Sequence, residues 1–149
     1  MVSPIPRSLY QGPDIIHAGK ATGELVGGNL SSFSLLFGTP YMPSLAGKIL
    51  CAEDDEADTY KTIDRNFEAL LQQPGADSIA GIIIGRFQNG SGMDGEKMKR
   101  LIALRPQLDN IPIVTQLDFG HTSPIATLPL GGLVSIDTSV KDPVSFKKF

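Results

Sequence analysis

Apolar positions along the chain follow two periods. Ile49-Leu50-Cys51-Ala52 is a continuous apolar run, and residues 48–52 read as a buried strand. Gly81-Ile82-Ile83-Ile84-Gly85 is apolar on both faces of an extended chain, which predicts a strand central in its sheet. Pro112-Ile113-Val114 opens a third strand over 112–115. Between these runs the spacing becomes helical. Tyr60, Ile63, Phe67, Leu70 and Leu71 share one stripe of a helix from about 58 to 72. Met98, Leu101 and Ile102 mark another over about 93–104, broken before Pro106. The predicted core is Leu50, Ile63, Phe67, Leu70, Ile82, Ile84, Leu101 and Val114.

Shorter signals flank this alternation. Residues 15–18 suggest a strand, and Glu24-Leu25-Val26 another, ended by Gly27-Gly28. Asn29 suits the N-cap of a short helix with Leu30, Phe33, Leu36 and Phe37 on one face, stopped by Gly38 and Pro40. Residues 125–136 predict two short strands turning at Gly131-Gly132. Residues 1–14 carry three prolines and a glycine and read as a linker or extended arm, which leaves 15–149 as the folded unit. Strands alternating with helices in the middle, and helix-free strands on the flanks, predict an α/β layered domain with a second, smaller sheet: a β/β/α sandwich.

A chain of 149 residues can bury one real core. Its net charge of -3, with no basic stripe, argues against nucleic acid or an anionic membrane as partner. No run approaches the roughly 20 apolar residues of a membrane helix, and the N-terminus lacks a basic segment followed by an apolar one. A cytoplasmic location is the expectation. The single cysteine, Cys51, reads as a buried strand thiol, which fits a reducing compartment.

Two places combine ionisable side chains with loop geometry. Glu53-Asp54-Asp55-Glu56 follows the strand ending at Ala52, and strand ends are where α/β sheets gather catalytic groups. Four consecutive acids also fit a solvated loop or the acidic first turn of a helix. No second acidic or histidine cluster lies near them in sequence, so neither metal nor cofactor is expected. The second place is Asp118-Phe119-Gly120-His121-Thr122-Ser123-Pro124. Gly120 allows an unusual turn and Pro124 fixes the far side, so His121 is held at a strand end, where an imidazole suits general acid–base work. A lone histidine also has a structural reading, and His17, in an early strand, takes that reading alone. No Gly-x-Ser-x-Gly turn occurs, and Ser91 in Gly90-Ser91-Gly92 lacks its spacing, so a Ser–His–acid triad cannot be assembled from this chain by itself. Arg65 reads as an ion-pair residue of the long helix. Arg86, closing the central strand, fits a structural or a cleft role equally.

Gly27-Gly28-Asn29-Leu30, Gly38-Thr39-Pro40-Tyr41, residues 49–53, Ile63-Asp64-Arg65, residues 81–87 and residues 118–124 occur in an order that resembles a known family. It is the C-terminal domain of the LD-carboxypeptidase and microcin C immunity serine peptidases. The resemblance implies a swivelling β/β/α domain, with the triad Glu at Glu53 and the triad His at His121. It implies that the nucleophilic Ser belongs to an N-terminal flavodoxin-like domain, which this sequence does not contain. The fragment alone is then expected to be inactive. Its expected partners are that Ser-bearing domain of the same protein and a peptide or aminoacyl-nucleotide substrate; a second copy could pair on the face left bare. Residues 38–44, 53–55 and 85–87 look closer to the immunity branch, which cleaves microcin C-like aminoacyl-nucleotide conjugates. The alternative is a murein tetrapeptide LD-carboxypeptidase of peptidoglycan recycling. A reading from another class is a non-catalytic binding or interaction domain, distinguished by whether Glu53 and His121 meet in one cleft.

Overall fold

The computed structural model of the chain describes residues 12–148. The arm expected over 1–14 falls outside the described residues as far as residue 11. Strand β1 (Asp14–His17) is followed by a ten-residue β2 (Lys20–Asn29), a short α1 (Leu30–Ser34) and β3 (Ile49–Glu53). Then come α2 (Tyr60–Leu70), β4 (Gly81–Gly85), α3 (Gly95–Ala103), β5 (Ile113–Leu117), β6 (Leu133–Asp137) and β7 (Val144–Lys148). The strands form one curled sheet in the order β1-β5-β4-β3-β2-β6-β7. β2, β3, β4 and β5 run parallel, whereas β1, β6 and β7 pair antiparallel to their neighbours.

Side-chain alternation along the central strands divides the interior into two cores. Leu50, Ala52, Ile82, Ile84 and Ile113 face α2 and α3, where they meet Ile63, Phe67, Met98, Leu101 and Ile102. Ile49, Cys51, Ile83 and Val114 face the other way, onto Val134 and Ile136 of β6 and Val144 and Phe146 of β7. A strand covered on both faces has no reason to alternate with polar residues, which is why β4 is apolar throughout. The result is a β/β/α sandwich, the swivelling layered fold expected. All eight predicted core residues are buried, with Val114 in the second core rather than beside the helices.

β2 joins the layers because its two halves pair with different partners. Lys20 to Glu24 pair with β6, and Leu25 to Asn29 pair with β3. The expected stop at Gly27-Gly28 does not occur. The strand runs through both glycines in a left-handed backbone region, and a Cβ on Gly27 would lie 2.0 Å from the Cys51 carbonyl oxygen. Glycine there permits close strand approach instead of ending the strand. The 125–136 region also differs from expectation: only Leu133–Asp137 is a strand, and its hairpin partner is β7, beyond the region read. Gly131 and Gly132 instead exchange backbone hydrogen bonds with Leu25 at 2.9 Å.

The helices follow their apolar stripes, with boundaries drawn in. Asn29 caps α1 by accepting from Ser32 N at 2.9 Å, and Asp94 caps α3 by accepting from Lys97 N at 2.8 Å. Tyr60, expected on the buried stripe of α2, is exposed at its N-terminal end. Arg65 is exposed and makes no ion pair among the described residues. The clamp on α2 is Arg105, whose buried guanidinium reaches Glu68 at 2.9 Å and Asp64 at 2.8 Å and lies 5.6 Å from the Phe67 ring centroid. Among the described residues, no helix is long and apolar enough to cross a membrane.

Candidate active site

The parallel strands all end at one edge, and the candidate residues gather there. Asn29 ends β2 in register with Glu53, the last residue of β3. β4 ends at Gly85, followed by Arg86, and β5 ends at Leu117, followed by the loop carrying His121. His121 and Glu53 are 68 residues apart in sequence and meet at this edge, with His121 Nδ1 2.8 Å from Glu53 Oε2. An ionised carboxylate only accepts, so the proton is assigned to Nδ1, and neutral Nε2 keeps a lone pair. No hydrogen bond among the described residues occupies Nε2.

Two glycines make this approach sterically possible. A Cβ on Gly120 would stand 2.8 Å from Glu53 Oε2, and Gly120 has φ 102°. A Cβ on Gly85 would stand 2.4 Å from the Phe119 carbonyl oxygen and 3.1 Å from Glu53 Cβ. The incoming limb of the loop therefore lies directly on Glu53. Phe119 anchors that limb in the second core.

Burial separates the two partners. The Glu53 side chain is 9% exposed and that of His121 is 47% exposed. The hydrogen bond to Glu53 raises the His121 pKa above its ordinary 6.5; partial desolvation opposes this, and the charges of Glu53, Asp55 and Asp54 add to the rise.

The four acids that end and follow β3 have separate surroundings. Glu53 takes His121. Asp54 is fully buried and accepts from Asn29 Nδ2 at 2.8 Å, Ser31 Oγ at 3.0 Å and Asp55 N at 3.0 Å. Asp55 accepts from Ala57 N at 2.7 Å, and Glu56 lies against Gly90. Asp54 thus ties the end of β3 to the start of α1, a structural role that the run of acids alone did not reveal. Among the described residues, no group of three or more His, Cys, Asp or Glu side chains is arranged to hold a metal ion.

Neither other candidate bonds this pair. His17 Nδ1 lies 2.9 Å from the Leu108 carbonyl oxygen. Ser91 is buried, donating to Gln88 O at 2.7 Å and accepting from Met93 N at 3.1 Å. Among the described residues no hydroxyl bonds His121. Cys51 is buried, and desolvation pushes its thiol up to about 12, so it stays protonated at neutral pH.

A family model described as the LD-carboxypeptidase C-terminal domain matches residues 22–136. The chain belongs to that serine-peptidase family. Microcin C7 self-immunity protein MccF of Escherichia coli is 33% identical over 141 residues, covering 92% of this chain and 40% of MccF. A Bacillus subtilis (strain 168) protein named "Probable murein peptide carboxypeptidase" is also 33% identical, over 132 residues, covering 85% of this chain and 40% of that protein. The crystal structure of an MccF-like protein from Bacillus anthracis (strain Ames) superposes with a TM-score of 0.84 at 42% identity, covering 91% of this chain and 42% of that one. This LD-carboxypeptidase C-terminal domain spans about two-fifths of the length of the curated relatives it matches.

Proposed function

We propose that this chain supplies His121 as general base and Glu53 as its orienting carboxylate to a serine hydrolase whose nucleophile lies on an N-terminal domain of the same protein. The observation that carries this reading is the 2.8 Å contact between His121 and Glu53, which join two strand ends while Nε2 stays uncommitted. His121 Nε2 takes the proton from Ser Oγ as that oxygen attacks the acyl carbon, then returns it to the leaving nitrogen. Glu53 stays ionised, fixes the tautomer and offsets the charge that develops on the ring. The contact favours catalysis over the non-catalytic reading. Exposed apolar side chains on segments leaving the same edge, Leu35 and Tyr41 after β2 and Ile125 after β5, support a further domain covering it.

The substrate reading is a microcin C-like aminoacyl-nucleotide conjugate, with the acyl–nitrogen bond to the nucleotide sulfamate or phosphoramidate cleaved. The 42% identity to an MccF-like protein and the 33% identity to MccF support it. The relative named for murein peptides is also 33% identical, so the second reading is removal of D-Ala from a murein tetrapeptide.

The test is turnover of both substrates by a protein joining this chain to its Ser-bearing domain, and by the 149-residue chain alone. The joined protein is expected to cleave the conjugate and the chain alone to cleave neither. Turnover by the chain alone means that the nucleophile is misassigned. Preference for the tetrapeptide selects the second reading. Binding of either compound without turnover by the joined protein returns the chain to a binding module. Self-association of the chain, lost on joining, is expected if the bare edge seeks a cover.

A further inference from the structure

The loop carrying His121 leaves β5 and returns to its starting point. The main-chain carbonyl of Asp118 accepts from Ala126 N at 2.6 Å, closing residues 118–126. One guanidinium holds both limbs. Arg86 Nη2 forms a 2.6 Å ion pair with Asp118 Oδ1 and donates to the Pro124 carbonyl at 3.3 Å. Arg86 and Asp118 are 9% and 3% exposed.

The two limbs differ in how else they are held. The incoming limb has Phe119 in the core, whereas Ser123, Pro124 and Ile125 on the outgoing limb are exposed. His121, between them, has Glu53 as the only hydrogen-bond partner of its ring among the described residues. A half-exposed side chain with one tether stays put only if the backbone beneath it does. Both contacts are made by Nη2, whose two N–H groups lie fixed in the guanidinium plane. Stability alone gives little reason for a buried ion pair here, since replacing both partners with apolar side chains is often neutral or stabilising.

We propose that Arg86 is a positioning residue: joined to Asp118 and Pro124, it closes the 118–126 loop so that the His121 imidazole meets Glu53. Its value to catalysis rests on the role proposed above for His121, but the placement itself is a property of this chain.

The test is an NMR titration of His121 in the 149-residue chain, comparing wild type, Glu53→Gln and the double variant Arg86→Met with Asp118→Leu. The double variant removes one positive and one negative charge, so the net charge near the loop is kept and neither member of the pair is left as a lone buried charge. The other charges acting on His121 are those of Glu53, Asp55 and Asp54. Loss of the Glu53 contact then reads as a fall in the His121 midpoint, most of the way to that of Glu53→Gln. An unmoved midpoint in a folded double variant overturns the proposal.

Arg86→Lys is the second arm, and it decides the matter if the double variant does not fold. Lysine keeps the charge but not the fixed plane of N–H groups, so a smaller fall in midpoint is expected, and no fall overturns the proposal. In the joined two-domain protein, the double variant should lose roughly 10²-fold in kcat with KM little changed; a retained kcat overturns the proposal. Failure of the hydrolase reading would show instead as full activity in His121→Ala, and the titration would still decide the role of Arg86.

Discussion

The two histidines of the chain lie at opposite ends of β5 and bond different kinds of oxygen. His17 pairs in register with Ile113 at the start of that strand, and its Nδ1 bonds the backbone carbonyl of Leu108. His121 follows the far end, and its Nδ1 bonds a carboxylate. Both rings are oriented through the same atom at similar distances, 2.9 and 2.8 Å. A carbonyl can orient an imidazole but carries no charge to offset the one gained with a second proton. A carboxylate does both, which is what a general base requires. The acceptor, more than the histidine, separates a structural site from a candidate catalytic one.

The largest expected effect tests that separation directly. In the joined two-domain protein, His121→Ala should lower kcat by roughly 10⁴-fold or more with KM little changed. His17→Ala should leave kcat unaltered. Comparable losses in both variants would end the contrast, and full activity in His121→Ala would sink the serine-hydrolase mechanism.

Glu53→Gln comes next, and it should be milder, at roughly 10²–10⁴-fold in kcat. The amide keeps a partner for Nδ1 but removes the charge. Residues that act as a unit are not additive, so the double variant with His121→Ala should be little worse than His121→Ala alone. Multiplicative losses would mean that the two side chains act independently.

The pH dependence is a smaller effect with a definite sign. His121 must be neutral to accept a proton, so activity should fall on the acid side through a midpoint above 6.5, the ordinary value from which its pKa is raised. Glu53→Gln removes the largest cause of that rise and should move the acid limb to lower pH. Stability has the opposite dependence. A raised folded-state pKa gives a contribution fully present below about 6.5 and lost as pH rises through the folded value. His121→Ala should therefore cost more stability at pH 5 than at pH 9 by thermal unfolding. An equal cost at both would mean that the Glu53 contact does not form in solution.

The same contrast between local and distant partners explains what the sequence could reveal. β3, β4, β5, α2 and α3 were legible because periods of two, 3.6 and unbroken apolar runs differ over a few residues. The passage of β2 through Gly27-Gly28 was not, because its cause is the Cys51 carbonyl on another strand. Glu53 and His121 were each legible as strand-end candidates, and the family resemblance paired them. Periodicity could not, since their contact depends on how the sheet closes. Arg86 stood undecided because its partner Asp118 is 32 residues away. Arg65 was read as an ion-pair residue because it lies on the predicted helix; the fold instead brings Arg105 onto that helix from beyond α3.

The smallest expected effect belongs to the structural end of β5. His17→Phe removes the hydrogen bond to Leu108 while keeping a ring of similar size. The carbonyl is not orphaned, because Ile111 N also donates to it at 3.3 Å. The cost is then that of one ordinary hydrogen bond, about 0.5–1.5 kcal/mol, and β1 is an edge strand. Denaturant unfolding should show a loss in this range, while the His121 titration stays in place. A much larger loss would mean that His17 anchors β1 to the segment before β5 more strongly than one carbonyl bond allows. Movement of the His121 midpoint would mean that the two ends of β5 are coupled, and the division between an orienting histidine and a proton-accepting one could no longer be made from their acceptors alone.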